Sequence, residues 1–246
     1  MSQRRRRAWA PIGMTAVGAL LIGLVGCSIA ATAPPPSSTP LPTPLPAEPG
    51  CPDAETTGSL CIVVLGDSIA YGTPLEGDER WPSQLERLLE ARDPGRFVTV
   101  ANWAVPGSRV DVLVAATTQA SLATFDVAIV IEGVNDAAWT PLETWRADYL
   151  TAISAMERRG LKVIVGTPPP TLIDGQFTTQ YDPTTNALRD IAGTTRPILD
   201  IAAQWRRDGA ATAASYYSDL IHQGPIGQAR MAEMARDVVV ALERKP

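Results

Sequence analysis

Apolar residues in the body of the chain come in short runs, at 60–65, 97–101, 127–131, 161–165 and 197–201, of which the first and third are unbroken. Runs of this length, rich in Val and Ile and lacking polar alternation, fit strands buried on both faces, as in a parallel sheet. Helical spacing fills the intervals. Leu85, Leu88 and Leu89 mark one helix. Leu142, Trp145, Tyr149, Ile153 and Met156 mark a second, with Gly160 as its stop signal. Leu188 and Ile191 suggest a third, and residues 226–242 form a final amphipathic helix. Five strands alternating with helices predict an α/β fold: a doubly wound, flavodoxin-like, mostly parallel five-stranded sheet with helices on both faces. In such sheets ligands gather outside the carboxyl ends of the strands, so the segments after each run are where chemistry is expected.

The N-terminal pattern is different. Arg4–Arg7 precede an uncharged apolar stretch at 8–26. A basic cluster followed by an apolar run reads as a secretory signal, the alternative being an uncleaved membrane anchor. Leu24-Val25-Gly26-Cys27 resembles the lipobox of bacterial lipoproteins. That resemblance implies cleavage before Cys27 and lipid attached to it. Residues 28–50 are Ala, Thr, Ser and Pro with eight prolines from Pro34 to Pro49, which block helix and sheet and favour an extended spacer. The expected organisation is a signal at 1–26, a Pro-rich tether at 27–50 and one domain at 51–246. The domain is expected outside the cytoplasm, held to the membrane through an N-terminal lipid.

Charge and cysteine content refine this. Lys and Arg number 21 against 26 acids, and four of the 21 lie in the signal, so the remainder carries about −9. A net acidic chain argues against nucleic acid as a partner. Cys51 and Cys61 fall in a compartment that permits disulfides. A bridge would staple the tether's end to the first strand; the alternative is two free thiols, with Cys61 a small buried hydrophobe.

Candidate chemistry follows the first strand, in Gly66-Asp67-Ser68-Ile69-Ala70-Tyr71-Gly72. A Ser at a strand-to-helix turn is well placed as a nucleophile, or serves simply as a helix cap. His222 is the chain's one histidine, and Asp219 lies three residues before it. On a helical turn those two share a side, so the carboxylate can reach the ring. An Asp at one ring nitrogen fixes the tautomer of a general base.

These segments together resemble the SGNH/GDSL hydrolases. GDSIAYG is similar to that family's first block. Asn102-Trp103-Ala104-Val105-Pro106-Gly107-Ser108 resembles the second, Gly133-Val134-Asn135-Asp136 the third, and Asp219-Leu220-Ile221-His222 the fourth. Trp81-Pro82 followed by Leu85 also resembles a segment common after the first block. The resemblance implies that Ser68 is the nucleophile, His222 the base and Asp219 its orienting acid. It further implies an oxyanion hole made of the Ser68 N–H, the Gly107 N–H and the Asn135 amide. Asp67 and Asp136 are read as braces for these turns. The sequence departs from the family where Leu220 stands inside the fourth block and Gln223 follows the His.

The implied activity is hydrolysis of carboxylic esters through an acyl-enzyme, with no metal and no cofactor. Substrates of this family range over O-acetylated glycans, lysolipids and thioesters. The tether points to small-molecule, glycan or lipid esters of the cell envelope. Tyr71, Trp139 and residues 167–180, with Pro168, Pro169, Pro170, Ile173 and Phe177, are candidates for the substrate cleft. The competing readings are a non-catalytic binding module on the same scaffold and an acyltransferase using the same triad.

Overall fold

The computed structural model describes residues 48–173 and 178–244, with backbone alone for 178–180. The signal, Cys27, most of the tether and Phe177 lie outside the described residues. Five strands form one sheet in the order β2-β1-β3-β4-β5: β1 (Leu60–Gly66), β2 (Val98–Asn102), β3 (Val127–Ile131), β4 (Lys162–Thr167) and β5 (Ile198–Asp200). Every neighbouring pair is parallel. The helices are α1 (Ser68–Tyr71), α2 (Trp81–Arg92), α3 (Val110–Ala116), α4 (Asp136–Trp139), α5 (Leu142–Arg158), α6 (Thr178–Ala192), α7 (Ile201–Asp208), α8 (Ala210–Ala214) and α9 (Pro225–Glu243).

Each strand's side chains alternate between two cores. Val63, Leu65, Ala128, Val130, Val163 and Val165 point to a layer with Leu113, Trp145, Tyr149, Ile153 and Leu188. Ile62, Val64, Ile129, Ile131 and Ile164 point to the opposite layer with Trp81, Leu85, Trp205, Met231 and Val239. Because β1 and β3 are covered on both faces, every residue in them is buried. That accounts for unbroken apolar runs in place of alternation.

Register then sets where the loops emerge. Gly66 pairs with Ile131, and Ile131 with Gly166; Val64 pairs with Asn102. The segments beginning at 67, 103, 132 and 168 therefore leave one edge of the sheet. The order reverses beside β1, which is the position where a doubly wound sheet opens a crevice.

Two differences from the sequence reading have local causes. Residue 201, expected in the last strand, instead starts α7, because the Asp200 side chain accepts the Ala203 N–H at 2.9 Å and caps a helix there. The domain also takes in residues before Cys51: Ser121 Oγ donates to Glu48 O at 2.7 Å, and the Cys51 N–H donates to Thr124 Oγ1 at 2.8 Å. Cys51 and Cys61 are joined by a disulfide with Cα atoms 5.9 Å apart, and both are buried.

Gly66 is the tightest point of the sheet edge. Its φ is +136°, and an added Cβ would lie 1.8 Å from the Ile131 carbonyl oxygen. Gly66→Ala is expected to cost about 3 kcal/mol or more in urea unfolding, from backbone strain plus overpacking. A variant within about 1 kcal/mol of wild type would contradict this close approach.

Candidate active site

Ser68 sits two residues past the end of β1, directly after the Asp67 cap. Asp67 Oδ1 accepts the Ile69 N–H at 2.8 Å, which starts α1. Gly72, at φ +90°, ends it after a single turn, with its N–H on Ser68 O at 3.1 Å. So short a helix lifts the serine hydroxyl to the sheet edge while leaving the residue only 9% exposed.

His222 reaches it from 154 residues away. Tyr217 and Gln223 form an antiparallel bridge, and the Ser218 N–H donates to His222 O at 2.9 Å. At the tip, Asp219 Oδ1 accepts the N–H groups of Ile221 and His222, both at 2.7 Å. This is an Asx-type turn. The helical turn expected from the sequence is absent, since α9 begins only at Pro225; the side chain, by bonding its own loop, brings the carboxylate to the ring in another way. Asp219 Oδ2 lies 2.8 Å from His222 Nδ1, and His222 Nε2 lies 3.0 Å from Ser68 Oγ. An ionised carboxylate can only accept, so Nδ1 carries the proton and Nε2 presents its lone pair to the serine hydroxyl. Partial burial raises the Asp219 carboxyl, but the His222 N–H, the His222 ring and the Ile221 N–H outweigh it and hold the group below its ordinary value. The carboxylate is thereby kept charged.

A buried amide registers the two halves. Gln228, on the first turns of α9, accepts the Trp81 N–H at 3.0 Å. Its Nε2 donates to Gln223 O at 3.2 Å and to Thr73 O at 3.4 Å. Trp81 in turn donates its indole N–H to Ile69 O at 3.1 Å. The helix bearing Ser68 and the loop bearing His222 are thus fastened to one side chain. Nothing in the spacing of Gln228 distinguishes it from an exposed helical Gln.

The predicted oxyanion groups converge on the same edge. Residues 105–108 form a type II turn: the Ser108 N–H returns to Val105 O at 3.0 Å, Pro106 takes the second position, and Gly107 takes the third with φ +81°. The turn is pinned beside Ser68 through the Val105 N–H, 2.8 Å from Gly66 O. Asn135 Nδ2 donates to Ser108 O at 2.8 Å, which leaves its second amide hydrogen to point elsewhere. Among the described residues, neither the Ser68 N–H nor the Gly107 N–H has a hydrogen-bond partner.

Three buried acids lie beneath these turns. Asp67 also accepts the Val134 N–H at 3.4 Å. Asp136 accepts the Val110 N–H at 3.0 Å and the Thr140 hydroxyl at 2.7 Å. Both side chains therefore tie one loop to the next. Glu132, wholly buried, accepts the Gly133 N–H at 3.1 Å and lies 3.1 Å from Ser108 Oγ. Glu132 is not among the residues expected from the sequence; its one signal there is an acid directly after the apolar run at 127–131. Burial raises all three carboxyls: Asp67 to about 6, Asp136 above its ordinary value, and Glu132 well above its own, with Asp67 and Asp136 adding to the effect.

Of the expected cleft residues, Tyr71 is half-buried, with the Arg80 guanidinium 4.1 Å from its ring centre. Trp139 is 78% exposed. Pro168 and Pro169 are buried, and Pro170 and Ile173 are half-buried.

A parallel α/β sheet carrying a hydroxyl, an imidazole and a carboxylate in hydrogen-bond sequence at its carboxyl edge defines the class of the molecule. Its family follows from comparison with known proteins: residues 64–230 match the GDSL-like lipase/acylhydrolase family, and the chain belongs to it. It is accordingly a carboxylic ester hydrolase. Solved structures share the fold. A lipase/acylhydrolase from Enterococcus faecalis is 18% identical, with a TM-score of 0.63 over 74% of this chain and 97% of its own. An acetyl xylan esterase is 16% identical, with a TM-score of 0.60 over 72% and 99%. The esterase EstA from Pseudoalteromonas sp. is 15% identical, with a TM-score of 0.58 over 75% and 98%. Comparison with curated proteins finds no match.

The pKa of Asp67 carries a stability prediction. Between its ordinary 3.8 and its folded value of about 6, the folded protein holds a proton that the unfolded chain has released. This group's contribution to stability therefore falls as pH rises through that window, by ~3 kcal/mol at most. Urea unfolding of wild type and Asp67→Asn from pH 4 to 8 is expected to show wild type losing ground to the variant as pH increases. A difference that does not change with pH would contradict it.

Proposed function

We propose that the protein is a serine esterase of the cell envelope, with Ser68 as nucleophile, His222 as general base and then general acid, and Asp219 as the acid that orients the ring. The reading rests on one observation: the 3.0 Å contact between His222 Nε2 and Ser68 Oγ, with Asp219 at the other ring nitrogen. Ser68 Oγ attacks the ester carbonyl carbon as its proton passes to Nε2. The tetrahedral oxyanion is met by the Ser68 N–H, the Gly107 N–H and the second hydrogen of the Asn135 amide. Collapse expels the alcohol, which takes the proton from His222. Water, activated by the same ring, then releases the acid and restores Ser68.

The substrate class is read from the rim. Val105, Leu172 and Leu220 on loops, and Trp139 at the end of α4, are exposed apolar side chains, and the Leu172 N–H donates to Leu220 O at 2.7 Å. Beside the His222 loop, Pro170, Leu172, Trp205, Ala213 and Tyr217 line an apolar groove of about 340 Å³. These surfaces suit the apolar portion of an ester, as in lysolipids, while the acetyl xylan esterase of like fold makes O-acetylated glycans the other candidate class. Cys27 as a lipidated N-terminus, with the Pro-rich segment as spacer, would hold the domain at the outer membrane surface where such esters occur.

Ser68→Ala is expected to remove at least about 10⁴-fold of kcat/KM on a short-chain aryl ester and to abolish labelling by a fluorophosphonate. Asn135→Ala is expected to lower kcat by roughly 10²–10³-fold. A Ser68→Ala protein that stays folded and active would end the nucleophile assignment. Acyl transfer to an added alcohol in preference to water would turn the reading toward a transferase.

A further inference from the structure

The oxyanion turn is held by a hydrogen count that closes only one way. Ser108 Oγ lies 3.1 Å from Gly66 O and 3.1 Å from Glu132 Oε2. A hydroxyl has one hydrogen to give, and a backbone carbonyl has none. If Ser108 donates to Gly66 O, the Ser108–Glu132 contact is a hydrogen bond only when Glu132 supplies the proton. If Ser108 donates to Glu132, two lone pairs face each other across the contact with Gly66 O. Gly66 is the residue that carries the strand end into Ser68, and its carbonyl also accepts the Val105 N–H. Both ends of the turn containing Gly107 therefore converge on one oxygen.

We propose that Glu132 is a positioning residue that works as a neutral carboxylic acid, its O–H donating to Ser108 Oγ and thereby fixing the Gly107 and Asn135 donors of the oxyanion hole. Ser108 transmits the effect in two directions. Through its N–H and hydroxyl it closes the Val105–Ser108 turn against β1. Through its carbonyl it takes one hydrogen of the Asn135 amide and so aims the other. Glu132 Oε1 meanwhile accepts the Gly133 N–H, which fits the carbonyl oxygen of the acid form.

Burial and the acidic neighbours favour the neutral form and outweigh the Ser108 and Gly133 contacts, which pull the other way. Asp67 faces Glu132 from the loop after β1, Asp136 from α4, and the Tyr149 phenol from α5. The arginines nearby act on other groups, Arg109 on Asp136 and Arg196 on Tyr149. Among the described residues no cation forms an ion pair with Glu132. Desolvation and two like-charged neighbours act in the same direction.

This rests on the esterase reading, and the tests separate the two. The Glu132 carboxyl is read by ¹³C NMR in the resting protein, assigned by its loss in Glu132→Gln. A shift of the protonated acid through pH 7 is expected, and a carboxylate shift there overturns the proposal whatever Ser68 does. In kinetics, Glu132→Gln keeps a donor and an acceptor and should retain kcat within about threefold. Glu132→Ala should lose about 10–100-fold in kcat with KM little changed. A Gln variant as impaired as the Ala variant would overturn the proposal, because an amide can replace an acid but not a carboxylate. Should Ser68→Ala keep its activity, the esterase mechanism fails while the NMR result stands.

Discussion

The chemistry of the site depends on a single hydrogen bond spanning 154 residues, from His222 Nε2 to Ser68 Oγ. One such bond contributes only about 1 kcal/mol, too little to draw two loops together. The loops must be brought there by something stronger. Parallel pairing of β1 with β2 and β3 fixes Ser68 at the edge, because a one-residue slip would turn each strand's side chains onto the wrong face. Gln228 fixes the His222 loop to the same edge by bonding Trp81, Thr73 and Gln223 from one buried amide. The weak contact forms because the strong ones leave no alternative.

Much of the fold was legible in the sequence, for a physical reason. Strands buried on both faces must be apolar throughout, so β1 and β3 stood out as unbroken runs. α5 has a wide apolar face and a glycine stop, and it too was readable. α3 and α7 were not. α3 is a seven-residue helix, too short to establish a 3.6-residue period, and it begins in a run of valines that read as readily as strand. α7 starts at once after β5, with Asp200 serving both as strand end and as helix cap, so the run at 197–201 gave no sign of the change.

The site divides along a similar line. Ser68, Asp219 and His222 could be singled out from residue type and spacing, and Gly107 and Asn135 through the resemblance of their segments to the family's blocks. The structure brings all five to one edge, although Asp219 reaches His222 through an Asx turn and not a helical one. The roles of Gln228, Ser108 and Glu132 were not legible, beyond the place of Glu132 directly after an apolar run, since they lie in partners 5 to 155 residues away and in burial that spacing does not encode. Glu132 has the additional disguise of polarity: an acid after a strand reads as a solvent-facing residue until the fold encloses it.

That enclosure bears on the electrostatics of the site as a whole. An oxyanion hole stabilises negative charge, yet this one is built over three carboxyl groups. Two unit charges on the order of 8 Å apart repel by about 2 kcal/mol at an effective dielectric of 20. Three ionised acids beneath the hole would thus cancel much of what its N–H donors contribute. Burial lessens that penalty, since the same desolvation that makes a charge costly there raises each pKa, that of Glu132 well above its ordinary value, and shifts the groups toward their neutral forms. Carboxyl groups serve as rigid, two-ended braces for the loops, and their burial together limits the electrostatic penalty on the chemistry above them.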